Sequence, residues 1–264
     1  MKRILALIMA VLMMSAIFVG CGSTSATPDQ AESDVDYITD KGTLVVGITD
    51  YAPMNFKDDK GEWTGFDTEF AQKVGEKLGV KVEFIEINWD NKFLELDSKS
   101  IDCIWNGMTI TEEAKLNASV TEPYVENAQV VVMTAKNAEK YKDAESMKDL
   151  KFAAEAGSAG ESTISDNKWA DYTPVKAQSD ALLEVASGSV DACVIDLTMA
   201  NAMTGEGTSY EDLTKALELN KEQYGIACRK DSDLTNKINQ IMNDLKGDGT
   251  LEALAQKYSL TLAE

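Results

Sequence analysis

Two stretches of the sequence repeat each other, and each leads to polar side chains that could bind a small polar ligand. Residues 94–102 align with residues 183–191, and each segment is followed by a short apolar run. Asn106 and Gly107 end the first run, and Asp196 ends the second. In open α/β sheets, ligands bind in the crevice at the carboxyl ends of the strands. The repeat therefore predicts two lobes that face one cleft; the alternative is two ordinary α/β units without a shared site.

Composition excludes several classes of chemistry. The chain has no histidine, which excludes Ser–His and Cys–His nucleophile pairs and removes the commonest metal ligand. Cys103, Cys193 and Cys228 lie far apart in apolar runs, so we expect buried free thiols, and neither a metal nor a cofactor. The 45 acidic and 25 basic residues give a net charge of −20, which argues against nucleic acid as a partner.

The N-terminus has the pattern of a bacterial export signal. Lys2 and Arg3 precede an apolar run over residues 4–19, and Gly20-Cys21 resembles the end of a lipobox. We therefore expect a signal peptide over residues 1–20, lipidation of Cys21 and a disordered tether over residues 21–36. The protein would then be extracytoplasmic and anchored to the cell membrane by lipid. The alternative is ordinary secretion with a free thiol at Cys21.

Apolar periodicity predicts the elements that position the first polar turn. Apolar residues recur at every fourth position from Phe66 to Leu78, which predicts an amphipathic helix with Asp67 as its N-cap. A second helix is expected to begin near Trp89 and to bury Leu94. Short apolar runs separate these helices, so strand, helix and strand alternate as in a parallel α/β lobe.

The order of the predicted strands and helices divides the chain into two lobes. Lobe 1 is predicted over residues 37–127 and 222–264, and lobe 2 over residues 128–221. The chain then crosses between the lobes near 127–130 and again near 219–224. Two crossing strands form a hinge of the kind that allows rigid-body closure over a ligand.

Motifs distributed from residue 41 to residue 260 are specific when taken in order and spacing. They include Leu44-Val-Val-Gly47, Tyr51-Ala-Pro53, Gly65-Phe-Asp67, Gly107-Met-Thr-Ile-Thr111, Ala156-Gly157-Ser158 and Asp248-Gly-Thr250. In this combination the chain resembles the extracellular solute-binding proteins of polar amino-acid ABC transporters. The resemblance implies an α/β, two-lobed type II periplasmic-binding-protein fold, with a two-stranded hinge and a ligand cleft between the lobes.

The resemblance also implies which residues contact the side chain of the ligand. Tyr51 and Trp89 correspond to residues that enclose it, Asp50 adjoins Tyr51, and Glu155 falls near the end of the ligand's side chain. Aromatic faces supply apolar area and attract cations. The alternatives are that Trp89 is a core residue and that Tyr51 packs a loop.

The head group of the ligand is assigned to a second set of residues by the same resemblance. Asn106, Gly107 and Thr109 lie in the loop that hydrogen-bonds the head group. Ser158 marks a helix start whose amides hold the α-carboxylate, and Asp196 pairs with the α-ammonium. The alternatives are that Asp196 and Ser158 cap the helices that follow them.

One position departs from the family pattern. The family has an arginine three residues after the threonine that corresponds to Thr111, and here that position is Ala114. Lys115 is adjacent, but a lysine does not reproduce the planar fork of arginine. Loss of this cation beside the carboxylates of Asp50 and Glu155 favours a cationic ligand, or a carboxylate that is held mainly by amides.

The resulting hypothesis is capture of a polar amino acid, or of a related amine, and its delivery to an ABC transporter permease. We expect a monomer that catalyses no reaction. One alternative is a sensor or adhesion module with the same pocket. Another is an enzyme that resembles cyclohexadienyl dehydratases, for which Glu155 is the only candidate general acid.

Overall fold

Two five-stranded sheets with flanking helices form the body of the protein. The computed structural model describes residues 33–169 and 171–264, which lie within one compact unit. The predicted signal peptide, the lipidation site Cys21 and the tether as far as residue 32 lie outside the described residues.

The bounds of the elements are as follows. The strands are β1 Thr43–Ile48, β2 Phe56–Lys57, β3 Trp63–Thr64, β4 Lys81–Glu86, β5 Cys103–Ile104, β6 Ser119–Val120, β7 Val125–Thr134, β8 Lys151–Glu155, β9 Asp171–Val175, β10 Ala192–Asp196, β11 Leu213–Tyr224 and β12 Ala227–Cys228. The α-helices are α1 Asp34–Lys41, α2 Phe66–Leu78, α3 Lys92–Asp97, α4 Glu112–Asn117, α5 Ala135–Ala138, α6 Ala159–Asp166, α7 Gln178–Ser187, α8 Leu197–Met203, α9 Asp233–Gly247 and α10 Thr250–Lys257.

The first sheet has the strand order β4-β1-β5-β12-β6. β1 runs parallel to β4 and β5, whereas β12 runs antiparallel to its two neighbours. The predicted periodicity of α2 is confirmed, because Phe66, Phe70 and Val74 are fully buried. Phe70 meets Trp105, which follows β5, edge to face at 4.8 Å between ring centroids. This packing fixes the loop that leaves β5.

The second sheet has the strand order β11-β7-β10-β8-β9. β8 runs parallel to both β9 and β10. All five residues of β10 are buried, as expected for a central strand that helices cover on both faces. The carboxyl ends of β8 and β10 carry Glu155 and Asp196, two of the three acidic residues that the sequence analysis assigns to the cleft.

The two lobes are joined by the long antiparallel pair of β7 and β11. Glu222 lies opposite Asn127, and Tyr224 lies opposite Val125. Both predicted crossings fall within these strands, so the two-stranded hinge is confirmed. The exact lobe boundaries at 127/128 and 221/222 stay predictions.

The structure corrects three details of the sequence analysis. The tether does not extend to residue 36, because α1 begins at Asp34. Leu94 is not buried in α3 but is 68% exposed. Asp67 does not cap α2, since Gly65 holds the N-cap position. The buried Asp67 carboxylate instead accepts hydrogen bonds from Gly107 N at 2.6 Å and from the Tyr124 hydroxyl at 2.9 Å.

A buried ion network explains why the first helix belongs to the fold. The guanidinium of Arg229 donates to both carboxylate oxygens of Asp34, with a shortest distance of 2.8 Å. It also reaches the carboxylate of Asp102 at 3.3 Å and the carbonyl of Ile101 at 2.8 Å. Lys41 at the end of α1 forms an ion pair with the same Asp102 at 2.7 Å. Both ends of α1 are therefore tied to the loop before β5.

Candidate functional site

A cavity of about 40 Å³ lies where the two lobes meet. Its walls come from the carboxyl ends of β5, β8 and β10 and from the first residues of α3, α4, α6 and α7. The residues that line it include Trp89, Lys92, Asn106, Gly107, Thr109, Glu113, Ala114, Gln129, Glu155, Ser158, Gln178 and Asp196. Since these groups come from both sheets, one shared site is present, and the alternative of two independent units is wrong.

The loop after β5 supplies the first wall, and its polar groups have partners inside the protein. The Asn106 amide oxygen accepts from Thr49 N at 3.0 Å and from the Thr49 hydroxyl at 2.8 Å. The hydroxyl of Thr109 donates to the Glu222 carboxylate at 2.8 Å. The amide of Gly107 donates to the Asp67 carboxylate. These bonds hold the loop in place, so what it offers a ligand is mainly its fixed backbone.

Gly107 is required at its position for two reasons. Its φ of 54° lies in the left-handed region, which favours glycine. A Cβ placed on it would lie 2.6 Å from Cε1 of Tyr51, closer than real atoms approach. The cavity wall therefore comes within van der Waals distance of the aromatic ring behind it.

Asp196 lies at the centre of a group of amide donors. One carboxylate oxygen accepts from Asn127 at 2.7 Å and from Gln129 at 2.5 Å, and the other accepts from Gln178 at 2.5 Å. Although Asp196 is the N-cap residue of α8, its side chain makes no capping bond. The capping alternative therefore does not account for this carboxylate. Its burial raises its pKa.

A second carboxylate, Glu222 of β11, shares the same donors. Asn127 and Gln129 each donate to Glu222 as well as to Asp196, at 2.7 and 2.8 Å. Burial, and then the charge of Asp196, raises the pKa of Glu222 to about 8. The sequence analysis missed Glu222, because nothing local distinguishes it from the other charged residues of this strand.

Glu155 ends β8 inside the cavity and is 3% exposed. Its Oε1 has no hydrogen-bond partner among the described residues. Burial raises the pKa of Glu155 to about 8 and the charge of Asp196 adds to this rise, whereas a hydrogen bond from Thr49 and the charge of Lys92 oppose it. Gln129 Oε1 is also buried without a partner in the described part of the chain. Both oxygens line the cavity as acceptors, which suits a ligand that donates hydrogen bonds.

The start of α6 forms the opposite side of the cavity. Ser158 is its N-cap, and the Ser158 hydroxyl accepts from Glu161 N at 3.2 Å, which confirms the N-cap interpretation. The amides of Gly157 and Ser158 are already used, by the Glu161 carboxylate and by the carbonyl of Glu155. The amides of Ala159 and Gly160 belong to the four that a helix start leaves without intrahelical acceptors.

At Gly157 the backbones of the two lobes are in contact. Its φ is 73°, and a Cβ placed on it would lie 2.7 Å from the Cα of Asp90. Asp90 belongs to the first lobe and Gly157 to the second. Backbone therefore meets backbone across the cleft.

Trp89 and Lys92 extend the wall of the first lobe. Trp89 is 6% exposed and packs with Ile87, Leu96 and Ala114, so it is a core residue that also lines the cavity. Lys92 was not predicted as a site residue from the sequence. Its spacing of three from Trp89 could have indicated it, because that spacing places the lysine on the same, buried side of the chain.

Asp50 and Tyr51 do not line this cavity, which corrects their predicted placement. Asp50 is exposed and lies in a separate depression. Tyr51 is 1% exposed, and its hydroxyl hydrogen-bonds the hydroxyls of Thr198 and Tyr224. The hydroxyl of Tyr51 is therefore hydrogen-bonded inside the core, and only the edge of its ring packs against Gly107. The loop-packing alternative describes Tyr51 correctly.

In residues 33–169 and 171–264, no group of three or more acidic or cysteine side chains is arranged to hold a metal ion. Within the same residues, no helix has both the length and the apolar character needed to cross a bilayer. Cys103, Cys193 and Cys228 are buried free thiols, as expected.

Known proteins resemble this chain over most of its length. It is 29% identical to the L-cystine-binding protein TcyJ of Escherichia coli (strain K12) over 245 residues, covering 86% of each chain. It is 28% identical to the arginine-binding extracellular protein ArtP of Bacillus subtilis (strain 168) over 271 residues, covering 98% of each. Among solved structures, an ancestral amino-acid-binding protein described as a precursor of cyclohexadienyl dehydratase matches with a TM-score of 0.79 and 33% identity, covering 86% of this chain and 99% of that one.

The expected type II periplasmic-binding-protein fold is confirmed by these structural matches. The model of the family described as bacterial extracellular solute-binding proteins, family 3, matches residues 44–261. That range includes both hinge strands, every residue that lines the cavity, and both sheets except Thr43 at the start of β1. The chain belongs to the bacterial extracellular solute-binding proteins of family 3.

Proposed function

We propose that the protein captures a polar amino acid with a cationic or amine-bearing side chain and delivers it to an ABC transporter permease. The observation that carries this proposal is the set of acceptor oxygens in the cavity. Asp196 is buried there, and Glu155 Oε1 and Gln129 Oε1 have no hydrogen-bond partner among the described residues. A ligand with hydrogen-bond donors on both its α-ammonium and its side chain supplies those partners. The printed names of the relatives, which bind cystine and arginine, support the amino-acid class.

In this proposal the ligand and the polar groups of the cavity lose their water, and the lobes then close over the ligand. Buried charges are costly unless each one meets a partner. Asp196 meets the α-ammonium, while the acceptor oxygens of Glu155 and Gln129 meet the donors of the ligand's side chain. Trp89 supplies the apolar surface between these two ends.

The location proposed for this activity is outside the cytoplasm. Members of the family are extracellular solute-binding proteins, which fits the export signal that residues 1–20 resemble. Lipidation of Cys21 would hold the protein beside its permease, since lipid chains anchor a body whose net charge of −20 is not attracted to anionic headgroups.

Thermal unfolding of the fragment 22–264 tests this function. A ligand present at one hundred times its dissociation constant stabilises the folded state by about 2.7 kcal/mol. For a protein of this size we expect a rise in Tm of about 5–10 °C. The screen contains the polar amino acids and their decarboxylated amines. Stabilisation by cationic members, with little effect from aspartate or glutamate, is the expected result; no stabilisation by any member would overturn the proposal.

The affinity for L-arginine is expected to rise with pH between 6 and 8. A cation favours the ionised form of Glu155 and Glu222, whose pKa values in the free protein are about 8. Below pH 8 binding must therefore release protons from these two groups. For each group, a fall of one pH unit lowers the affinity by up to about tenfold. Calorimetric titrations in buffers of different ionisation enthalpy measure both quantities. Glu155→Gln should reduce the proton release, and a pH-independent affinity without proton release would contradict the prediction.

A second candidate function is suggested by one further observation. Glu155 is a buried carboxyl group that remains protonated near neutral pH, as a general acid requires, and one structural relative is described as a precursor of cyclohexadienyl dehydratase. We propose binding without chemistry as the main function. Incubation with prephenate and arogenate separates the two, because only an enzyme would consume either compound.

A further inference from the structure

Lys92 is the one cationic side chain among the described residues that line the cavity. It is 6% exposed. Its ammonium group donates to the carbonyl of Gly157 at 2.8 Å and to the carbonyl of Trp89 at 3.3 Å, and it lies over the ring of Phe93 at 4.9 Å from the centroid. An ammonium group has three N–H donors. Two of them are satisfied by carbonyls, so one remains for a ligand.

The carboxylates around Lys92 do not neutralise it by direct contact. Glu113, Glu155, Asp90 and Glu161 all act on it electrostatically. None of the ion pairs in the described part of the chain involves it. A buried cation without a contacting anion is costly. A ligand carboxylate placed here would remove that cost.

The position of Lys92 adds to the positive potential of a helix start. Its partner Gly157 lies two residues before α6, whose first-turn amides at Ala159 and Gly160 face outward from the helix end. Helix starts attract anions. The acceptors that have no partner, Glu155 Oε1 and Gln129 Oε1, suit donors instead. The cavity therefore offers free donors for an anionic group and free acceptors for a cationic one.

We propose that Lys92 binds the carboxylate of the amino-acid ligand, together with the first-turn amides of α6. This inference rests on the proposed function and deepens it. Ala114 lines the same cavity and is 2% exposed, so the position where the family resemblance implies an arginine contributes no charge. Lys92 supplies the cation from a different element.

The test compares each amino acid with the amine that lacks only its carboxylate. The probes are L-arginine with agmatine and L-histidine with histamine, measured by calorimetry on wild-type protein and Lys92→Met. Loss of a charged hydrogen bond should weaken arginine or histidine binding by about ten- to a hundredfold. The corresponding amine should change by less than about threefold, because it has no carboxylate to lose. Lys115→Met, at an exposed lysine on α4, is the matched control and should change neither.

A structural role for Lys92 has a different signature. If its bond to Gly157 only holds the lobes closed, Lys92→Met weakens the amino acid and its amine equally, and the assignment is overturned. Wild-type protein that binds agmatine as tightly as arginine also overturns it. Wild-type protein that binds none of the probes overturns the proposed function itself. Recovery of arginine binding in the double variant Lys92→Met with Ala114→Arg would support the assignment, because the cation is then restored from another position.

Discussion

Replacing Asp196 with asparagine is expected to weaken amino-acid binding by at least a hundredfold. The substitution removes the negative charge that meets the ligand's ammonium group inside a closed cavity. Removal of one partner from a buried ion pair costs about 3–5 kcal/mol. The ammonium is then left with the neutral amides of Asn127, Gln129 and Gln178. The neighbouring Glu222 does not line the cavity, and its pKa is raised to about 8.

The same substitution should leave the ligand-free protein folded. Asparagine keeps only one oxygen that accepts hydrogen bonds, so at least one of the three amide donors loses its acceptor. This loss is offset because the substitution removes the repulsion between Asp196 and Glu222. The pKa of Glu222, which the charge of Asp196 helps to raise to about 8, should therefore fall. An unchanged or higher Tm of the free protein is the expected result.

Calorimetric titration with the ligand that gives the largest thermal shift measures the effect. Glu113→Gln is the matched control, because Glu113 is an exposed carboxylate on the same cavity, and exposed charges contribute little. It should change the affinity by less than about threefold. An Asp196→Asn variant that binds within tenfold of wild type would show that the ammonium lies elsewhere.

Replacing Arg229 with methionine is expected to reduce the free energy of unfolding more than any of the substitutions in the cavity. Arg229 is 8% exposed and holds Asp34, Asp102 and the carbonyl of Ile101. Its loss leaves two carboxylates without a guanidinium partner, at an expected cost of about 3–5 kcal/mol. Burial opposes ionisation of Asp34, yet the bonds from Arg229 and Ser232 lower its pKa, so this carboxylate is charged in the folded state.

Urea unfolding monitored by circular dichroism measures the loss of stability. Lys41→Met is the control, since Lys41 binds the same Asp102 from a more exposed position and should cost about 1 kcal/mol or less. The double variant Arg229→Met with Asp34→Asn should lose less than the sum of the two single variants, because the partners share one network. A loss below about 1 kcal/mol for Arg229→Met would contradict the prediction.

Local patterns were sufficient for the buried face of α2 and for the strand ends at which the cleft lies. The spacing of Phe66, Phe70 and Val74 reports one helical face directly, and the polar residues Asn106 and Asp196 mark strand ends by position alone. These inferences need only contacts between neighbours along the chain. The cleft was predicted because residues 94–102 repeat in residues 183–191, and each repeat is followed by polar residues at an equivalent strand end.

The errors arose where distant residues decide the outcome. Asp34 follows a polar, acidic segment, and its place in a helix depends on Arg229 far along the chain. Tyr51 follows a strand end, as a ligand-binding residue would, but its hydroxyl is taken up by Thr198 and Tyr224. Neither partner can be identified from spacing. The spacing of Lys92 from Trp89 indicated a buried lysine, but its acceptor Gly157 belongs to the other lobe and could not be identified from the sequence.

The contact between Gly157 and Asp90 leaves the two lobes no room to move closer together at this point. Backbone atoms meet there, and a backbone, unlike a side chain, cannot change rotamer to make room. A ligand that fits in the cavity would therefore be enclosed by the same arrangement of the lobes whatever its side chain, whereas a longer molecule would keep Gly157 and Asp90 apart. The separation of this one pair of residues would then report the length of the bound ligand.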